Sequence, residues 1–183
     1  MVLASNRIMG TQQFCSRRLS EFTSIKLILV IVVLGISAAI ALPKFASLAS
    51  SGRIVSIEGI SGAMRATIMI VKNKAYVSGL PIVDTNPGVG QAIYVIETEA
   101  GTSEFDWRNL CPESQAEVGD ALSMLDPISL AVTQDLTANI SNQYTRVGYG
   151  IQGSGPATAN GCYVTYDSYG DPECTVTVVD ADC

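Results

Sequence analysis

FTSIKLILVIVVLGISAAIALPKF, residues 22–45, decides how this chain is organised. From Leu27 to Leu42 it runs 16 residues without a charge, and Ser37 is the only formally polar side chain among them. As a helix rising ~1.5 Å per residue this run covers roughly 24 Å, a little short of the ~30 Å hydrocarbon core of a bilayer. Phe22, Thr23 and Ile25 lengthen it on its N-terminal side. Lys26 falls within that extension, where its ammonium can snorkel to the interface. Arg7, Arg17 and Arg18 precede the run, which predicts a cytoplasmic N-terminus and export of the residues beyond Leu42.

Three readings fit this stretch. It can be an uncleaved membrane anchor. It can be a secretory signal peptide, with Lys26 in the basic region and Ala39-Ile40-Ala41 as an A-x-A-like cleavage site. Or a short basic leader, residues 1–21, is removed, and the apolar helix is kept for use first in the bilayer and then in a filament core.

Beyond the apolar run, Phe45, Leu48, Gly52, Val55, Gly59, Ala63, Ala66, Ile70 and Val71 recur at steps of mostly three or four. That period predicts one helix from Phe22 to about Tyr76 and marks those residues as one face. Pro43 should kink or locally melt it. Gly52, Gly59 and Gly62 weaken it by ~1 kcal/mol each relative to alanine but leave room for a closely packed second layer. Ser78-Gly79 and Pro81 form a stop signal. A helix of about 55 residues is ~80 Å long. A filament subunit needs that length, and a small soluble domain does not.

After Gly79 the texture changes to that of a β-rich head, residues 79–183. Gln91–Glu97, Thr145–Gln152, Cys162–Tyr166 and Thr175–Val179 read as strands, the last two as an antiparallel hairpin. Phe105–Leu110 and Glu117–Leu125 have short helical or turn character. The expected fold class is α+β: a long N-terminal hydrophobic helix, residues 22–78, packed on a small antiparallel head.

Charge separates the two parts. Residues 22–76 carry six Lys and Arg against Glu58, a net of +5, whereas 77–183 carry two Arg against 15 Asp and Glu, a net of −13. An acidic head repels phosphate, which argues against nucleic acid as a partner. The asymmetry suits either packing of one subunit's stalk on another's head or simple solubilisation.

Chemistry is sparse. The chain has no histidine, so Ser-His-Asp and Cys-His sites cannot be built and the commonest general base is missing. We expect no enzyme activity and no cofactor. Gly148–Gly153 matches G-x-G-x-x-G, but Ser154-Gly155-Pro156 blocks the helix a dinucleotide site needs. Asp167, Asp171 and Glu173 share one loop and are candidates for calcium, although EF-hand spacing is absent. Asn139-Ile140-Ser141 is a glycosylation sequon, and Trp107 with seven tyrosines can serve a sugar-binding surface or the core. Cys111, Cys162, Cys174 and Cys183 lie beyond the apolar run, an even number that predicts two disulfides with three possible connectivities. Without C-x-x-C or histidine, zinc is not expected.

Phe22-Thr23, Ile25, the run LILVIVVLGI with Gly35, the small residues Ala38, Ala39 and Ala41, and Leu42-Pro43-Lys44-Phe45 together resemble the N-terminus of type IV pilins and type II secretion pseudopilins. Ser56–Ala75, SIEGISGAMRATIMIVKNKA, is similar to pilins of the mannose-sensitive haemagglutinin type. The resemblance implies cleavage between Glu21 and Phe22 by a prepilin peptidase, with a methylated N-terminus. It also implies an inner-membrane stage on an assembly platform, and a surface filament of like or sister subunits that serves adhesion. Phe22, Lys26, Gly35 and Pro43 fall at its assembly positions. It further implies Cys162 with Cys183, and with it Cys111 with Cys174. The chain departs from the family at Glu21, where the family has glycine, at Lys26, where it has glutamate, and at Ser24, where it has leucine. A type II pseudopilin and a membrane-anchored or secreted binding domain are the alternative readings.

Overall fold

The computed structural model describes residues 14–98, 101–118, 123–128, 130, 135–170 and 172–183; side chains are described from residue 23 onward, those of 46 and 98 excepted. A single long helix, α1 (Phe14–Val77), is followed by β1 (Val95–Thr98), β2 (Gly101–Glu104), β3 (Leu136–Ile140), β4 (Tyr144–Tyr149), β5 (Cys162–Asp167) and β6 (Thr175–Val179). The chain is α+β, with a long apolar N-terminal helix, small antiparallel sheets and two disulfides. It divides into two compact units, Met1–Leu48 and Ala49–Cys183.

The first unit is helix. It is already helical at Phe14, the first described residue and ahead of the expected Phe22; residues 14–21 hold neither Gly nor Pro and include good helix formers such as Arg17, Arg18 and Leu19. Pro43 sits inside the helix without melting it. Strong helix formers on both sides carry the helix across the one missing N–H. The large apolar side chains from Ile25 to Leu42 are all more than half exposed. This is one helix long and apolar enough to cross a membrane.

In the second unit α1 ends at a well-formed stop. Gly79, at φ 70°, donates to Tyr76 O (3.1 Å) and Leu80 donates to Ala75 O (3.2 Å). Those two bonds satisfy carbonyls the last turn would otherwise orphan, and glycine takes the left-handed position without a Cβ penalty. Leu80 then packs against the cluster that contains Ala75.

The four-stranded sheet is an antiparallel meander, β3-β4-β5-β6. Its register lines up Ala138, Val147, Val164 and Val178 as one apolar row across the sheet. That row, with Tyr166, meets Ile60 and Met64 of α1 and Met124 in the main core. A second core joins Val71 and Ala75 of α1 to Tyr94, Phe105 and Leu110 beside the β1-β2 hairpin.

The helix therefore packs through Ile57, Ile60, Ser61, Met64, Thr67, Val71 and Ala75. Of the face expected from the period, Val71 is buried here, whereas Phe45, Leu48, Val55, Gly59, Ala66 and Ile70 are exposed. No neighbouring element lies within 4 Å of the Cβ positions of Gly52, Gly59 and Gly62, so the expected second layer is not supplied by the described residues of this chain.

The strands depart from expectation in three places. Gln91–Glu97 is mostly a 3-10 turn (Gly88–Tyr94), with the strand delayed to Val95–Thr98. The tight turn drops Tyr94 into the core, where its Oη donates to Pro81 O (2.8 Å). The strand from Thr145 stops at Tyr149 because Gly150 turns the chain at φ 62°. Strands β2 and β3 are additional to those expected: GTSE has no large apolar residue to signal a strand, and LTANI carries a period-two alternation that is only five residues long. Phe105–Leu110 is a turn, and Glu117–Leu125 lies partly outside the described residues.

Candidate functional site

The sequence-predicted assembly positions all fall in α1. Glu21 and Phe22 are helical, and their side chains lie outside those described. Lys26 is exposed, Gly35 has open space around it, and Pro43 is exposed. In the second unit Val55 (67% exposed), Met69 (66%), Ile70 (57%) and Val77 (90%) occupy the side of α1 away from the sheets, with Gly59, Gly62 and Ala66 among them. Residues 49–77 thus have two apolar faces, and the described residues of the chain cover one.

The basic residues of the helix engage the chain's own head. Arg65 Nη2 donates to Val176 O (3.1 Å), Lys72 Nζ pairs with Glu173 (2.5 Å), Lys74 Nζ donates to Glu97 O, and Arg53 lies 5.2 Å from the Tyr149 ring centroid. One of these contacts, Lys72 with Glu173, joins the basic helix to the acidic head by charge; the others use backbone carbonyls and a ring face.

Three carboxyl side chains are almost fully buried in the layer between β2 and the Cys111 segment: Glu104, Asp106 and Glu113. Each has a different environment. Asp106 holds the Arg108 guanidinium in a fork, Oδ2 at 2.6 Å from Nη2 and Oδ1 at 2.8 Å from Nε. Glu104 Oε2 accepts from the N–H groups of Glu117 (2.7 Å) and Val118 (2.9 Å); burial raises its pKa and those bonds oppose the rise. Glu113 is 4% exposed, and its Oε2 finds no partner among the described residues. Burial first, then the negative charges of Asp106, Glu104 and Glu117, push its pKa up to about 8, with Arg108 opposing. Glu113 is therefore a neutral acid at neutral pH. Its backbone N–H donates to Glu104 O and its C=O accepts from Met124 N, both at 2.8 Å, so it is fixed in place. In the sequence these carboxyls look like surface charge, and only the Asp106-x-Arg108 pair offers a local signal.

On the outer face of the sheet, residues 150–161 fold back over Arg146, Tyr163 and Thr165, all buried. Arg146 Nη2 donates to Gly155 O (3.1 Å) and Pro156 O (2.7 Å), and its guanidinium lies 4.3 Å from the Tyr163 ring centroid. The Gly148–Gly153 motif belongs to this strap: Gly150 and Gly153 sit at positive φ, and no helix opens after them. Tyr94, Tyr163 and Tyr166 are buried, Trp107 is half-buried against the second core, and Asn139 is half-buried in β3 opposite Arg146. Where the strap begins and ends, a cavity of about 510 Å³ is lined by Arg53, Asp135, Tyr149, Gly150, Gly161, Cys162 and Asp182.

Of the calcium candidates, Asp167 and Glu173 are among the described residues. Asp167 Oδ1 accepts from Gln143 Nε2 (3.0 Å) and Gly170 N (2.8 Å), Glu173 pairs with Lys72, and Asp171 lies outside the described residues. The described residues hold no group of three or more side chains suited to a metal. The disulfides join Cys111 to Cys174 and Cys162 to Cys183. No family model, no curated protein and no solved structure matches the chain.

Proposed function

We propose that this chain is a structural subunit of a type IV pilus, closest to the mannose-sensitive haemagglutinin type, and that it acts by assembly without a catalytic step. One observation carries the reading: the second half of α1 keeps Val55, Met69, Ile70 and Val77 exposed, with Gly59, Gly62 and Ala66 among them, on the side its own head leaves open. A membrane anchor accounts for Leu27–Leu42 and ends there. It offers no reason for apolar and small residues to persist for several more turns beyond Lys44. Helix-to-helix packing between copies, or with sister pilins, supplies one. The chain would pass through an inner-membrane stage, lose residues 1–21 to a prepilin peptidase, and reach the cell surface in a fibre that mediates attachment.

The test uses Val55→Glu and Ile70→Glu, separately and together, in the native cells. Both positions are exposed on the face away from the sheets, so the head should fold and the disulfides form. Intact-mass analysis of sheared surface material should find the wild-type chain starting at Phe22 and should lose it in the double variant. Equal recovery of both, or a wild-type chain found uncleaved and only in membranes, would sink the proposal.

A further inference from the structure

We propose that Cys174 Sγ is a reactive site at which a dithiol enters the head by thiol–disulfide exchange, opening Cys111–Cys174 while Cys162–Cys183 stays closed. This chemistry is independent of filament assembly.

The two bridges differ in the backbone that holds them. Among the described residues, the non-glycine residues at left-handed φ are Leu110 (59°) and Cys174 (52°). Both belong to the same bridge, Leu110 immediately before Cys111 and Cys174 at the other end. A side chain in that region is strained by contact between Cβ and its own backbone. The other bridge has a matching turn, but there the residue before Cys162 is Gly161, at φ 137°, where a side chain is absent and the strain with it. Left-handed non-glycine backbone thus adjoins the first bridge at both ends and the second at neither.

Electrostatics points the same way. Lys72 Nζ lies 3.7 Å from Cys174 Sγ. An ammonium at that distance attracts an incoming thiolate and stabilises a departing one. Glu173 shares Lys72 at 2.5 Å and moderates the effect. Within this bridge Cys174 is half-buried and Cys111 fully buried, so a solvent-borne reagent reaches the Cys174 sulfur first; Cys183 and Cys162 divide in the same way, so access chooses the sulfur and not the bridge.

The exchange takes two steps. A thiolate of the dithiol, its proton lost to water, attacks Cys174 Sγ. An S–S bond forms between them, the Cys111–Cys174 bond breaks, and its electron pair leaves on Cys111, which takes a proton from water. The second thiolate of the reagent, its proton also lost to water, then attacks its own bound sulfur, closes a cyclic disulfide, and expels Cys174 beside Lys72 as a thiolate, which then takes a proton from water. The dithiol is oxidised, the protein disulfide is reduced, and the two protons released by the reagent equal those the two cysteines take up. The segment at Cys111 is then joined to the sheet by weaker ties, such as Tyr166 Oη donating to Pro112 O (2.6 Å).

The full-length protein in detergent micelles, without denaturant and near neutral pH, is exposed to dithiothreitol and sampled by alkylation and peptide mass spectrometry. Cys111 and Cys174 should be labelled about tenfold or more faster than Cys162 and Cys183. With glutathione in place of the dithiol, the trapped mixed disulfide should sit on Cys174. Lys72→Met should slow opening about threefold and Glu173→Gln should speed it by a similar factor. Loosening of the fold would speed both variants, so opposite signs separate electrostatics from loss of structure. Equal rates for the two bridges, an adduct on Cys111, or a change of the same sign in both variants would overturn the proposal.

Discussion

Replacing Glu113 by glutamine should remove a pH dependence of head stability that the buried carboxyl imposes. In the folded chain its pKa is pushed from an ordinary 4.5 up to about 8, chiefly by burial. A folded-state pKa above the unfolded one means that the folded state binds the extra proton. The stabilisation is then complete below about pH 4.5, falls as pH rises, and is lost once pH passes about 8. At ~1.4 kcal/mol per pH unit that window amounts to at most about 5 kcal/mol. Glutamine keeps the shape and cannot ionise, so the variant should match the wild type near the acid end and exceed it by several kcal/mol at the alkaline end. The assay is urea unfolding of the full chain in micelles at a series of pH values, read by the fluorescence of Trp107, the single tryptophan. Trp107 packs against the second core, which contains Phe105 and Leu110 and so adjoins this layer. Glu104 is raised in the same direction and persists in both proteins, so the difference between them isolates Glu113. Parallel profiles for wild type and Glu113→Gln between pH about 5 and 8 would refute the assignment of a buried neutral acid.

The remaining expectations concern packing, and each is read as a shift in the urea midpoint. Met64→Ala, at the centre of the main core, should cost about 2–5 kcal/mol. Gly148→Ala should cost about 2 kcal/mol or more, because its Cβ would lie 2.3 Å from Cys162 O and 2.5 Å from Tyr163 Cα, where strand backbone cannot yield. Tyr166→Phe should cost about 1–3 kcal/mol by leaving the buried Pro112 carbonyl without its donor.

How much of this is legible in the sequence varies with the range of the signal. Local signals read well. The stop at Gly79 depends on a single residue that favours left-handed φ, and β6 depends on the alternation of Thr175–Val179. The 3-10 turn at Gly88–Tyr94 reads poorly, since QAIY has the composition of a strand and takes a turn because Tyr94 must reach the core. The buried carboxyl layer is invisible for a related reason. A Glu is ordinarily a surface residue, and Glu113 is buried by backbone bonds to Glu104 and Met124, residues 9 and 11 positions away, which no local pattern encodes.

The helix shows the limit most sharply. A period of 3.6 identifies the direction in which apolar side chains cluster, but α1 has two such directions. Ile57, Ile60, Met64, Val71 and Ala75, with Ser61 and Thr67, form one, and Val55, Gly59, Gly62, Ala66, Met69, Ile70 and Val77 form the other. The face marked by the period in the sequence is largely the second set, and the period does not say what meets it. The structure gives the head the first set, whose Ile60 and Met64 fill a core with Val147 and Val164. In the second set Gly59, Gly62 and Ala66 stand among Val55, Met69, Ile70 and Val77, and the described residues of the chain leave it open. Large apolar side chains beside small residues are what close contact between helices uses. The proposed subunit needs both directions, one closed by the sheet of its own chain and the other free for a neighbouring helix.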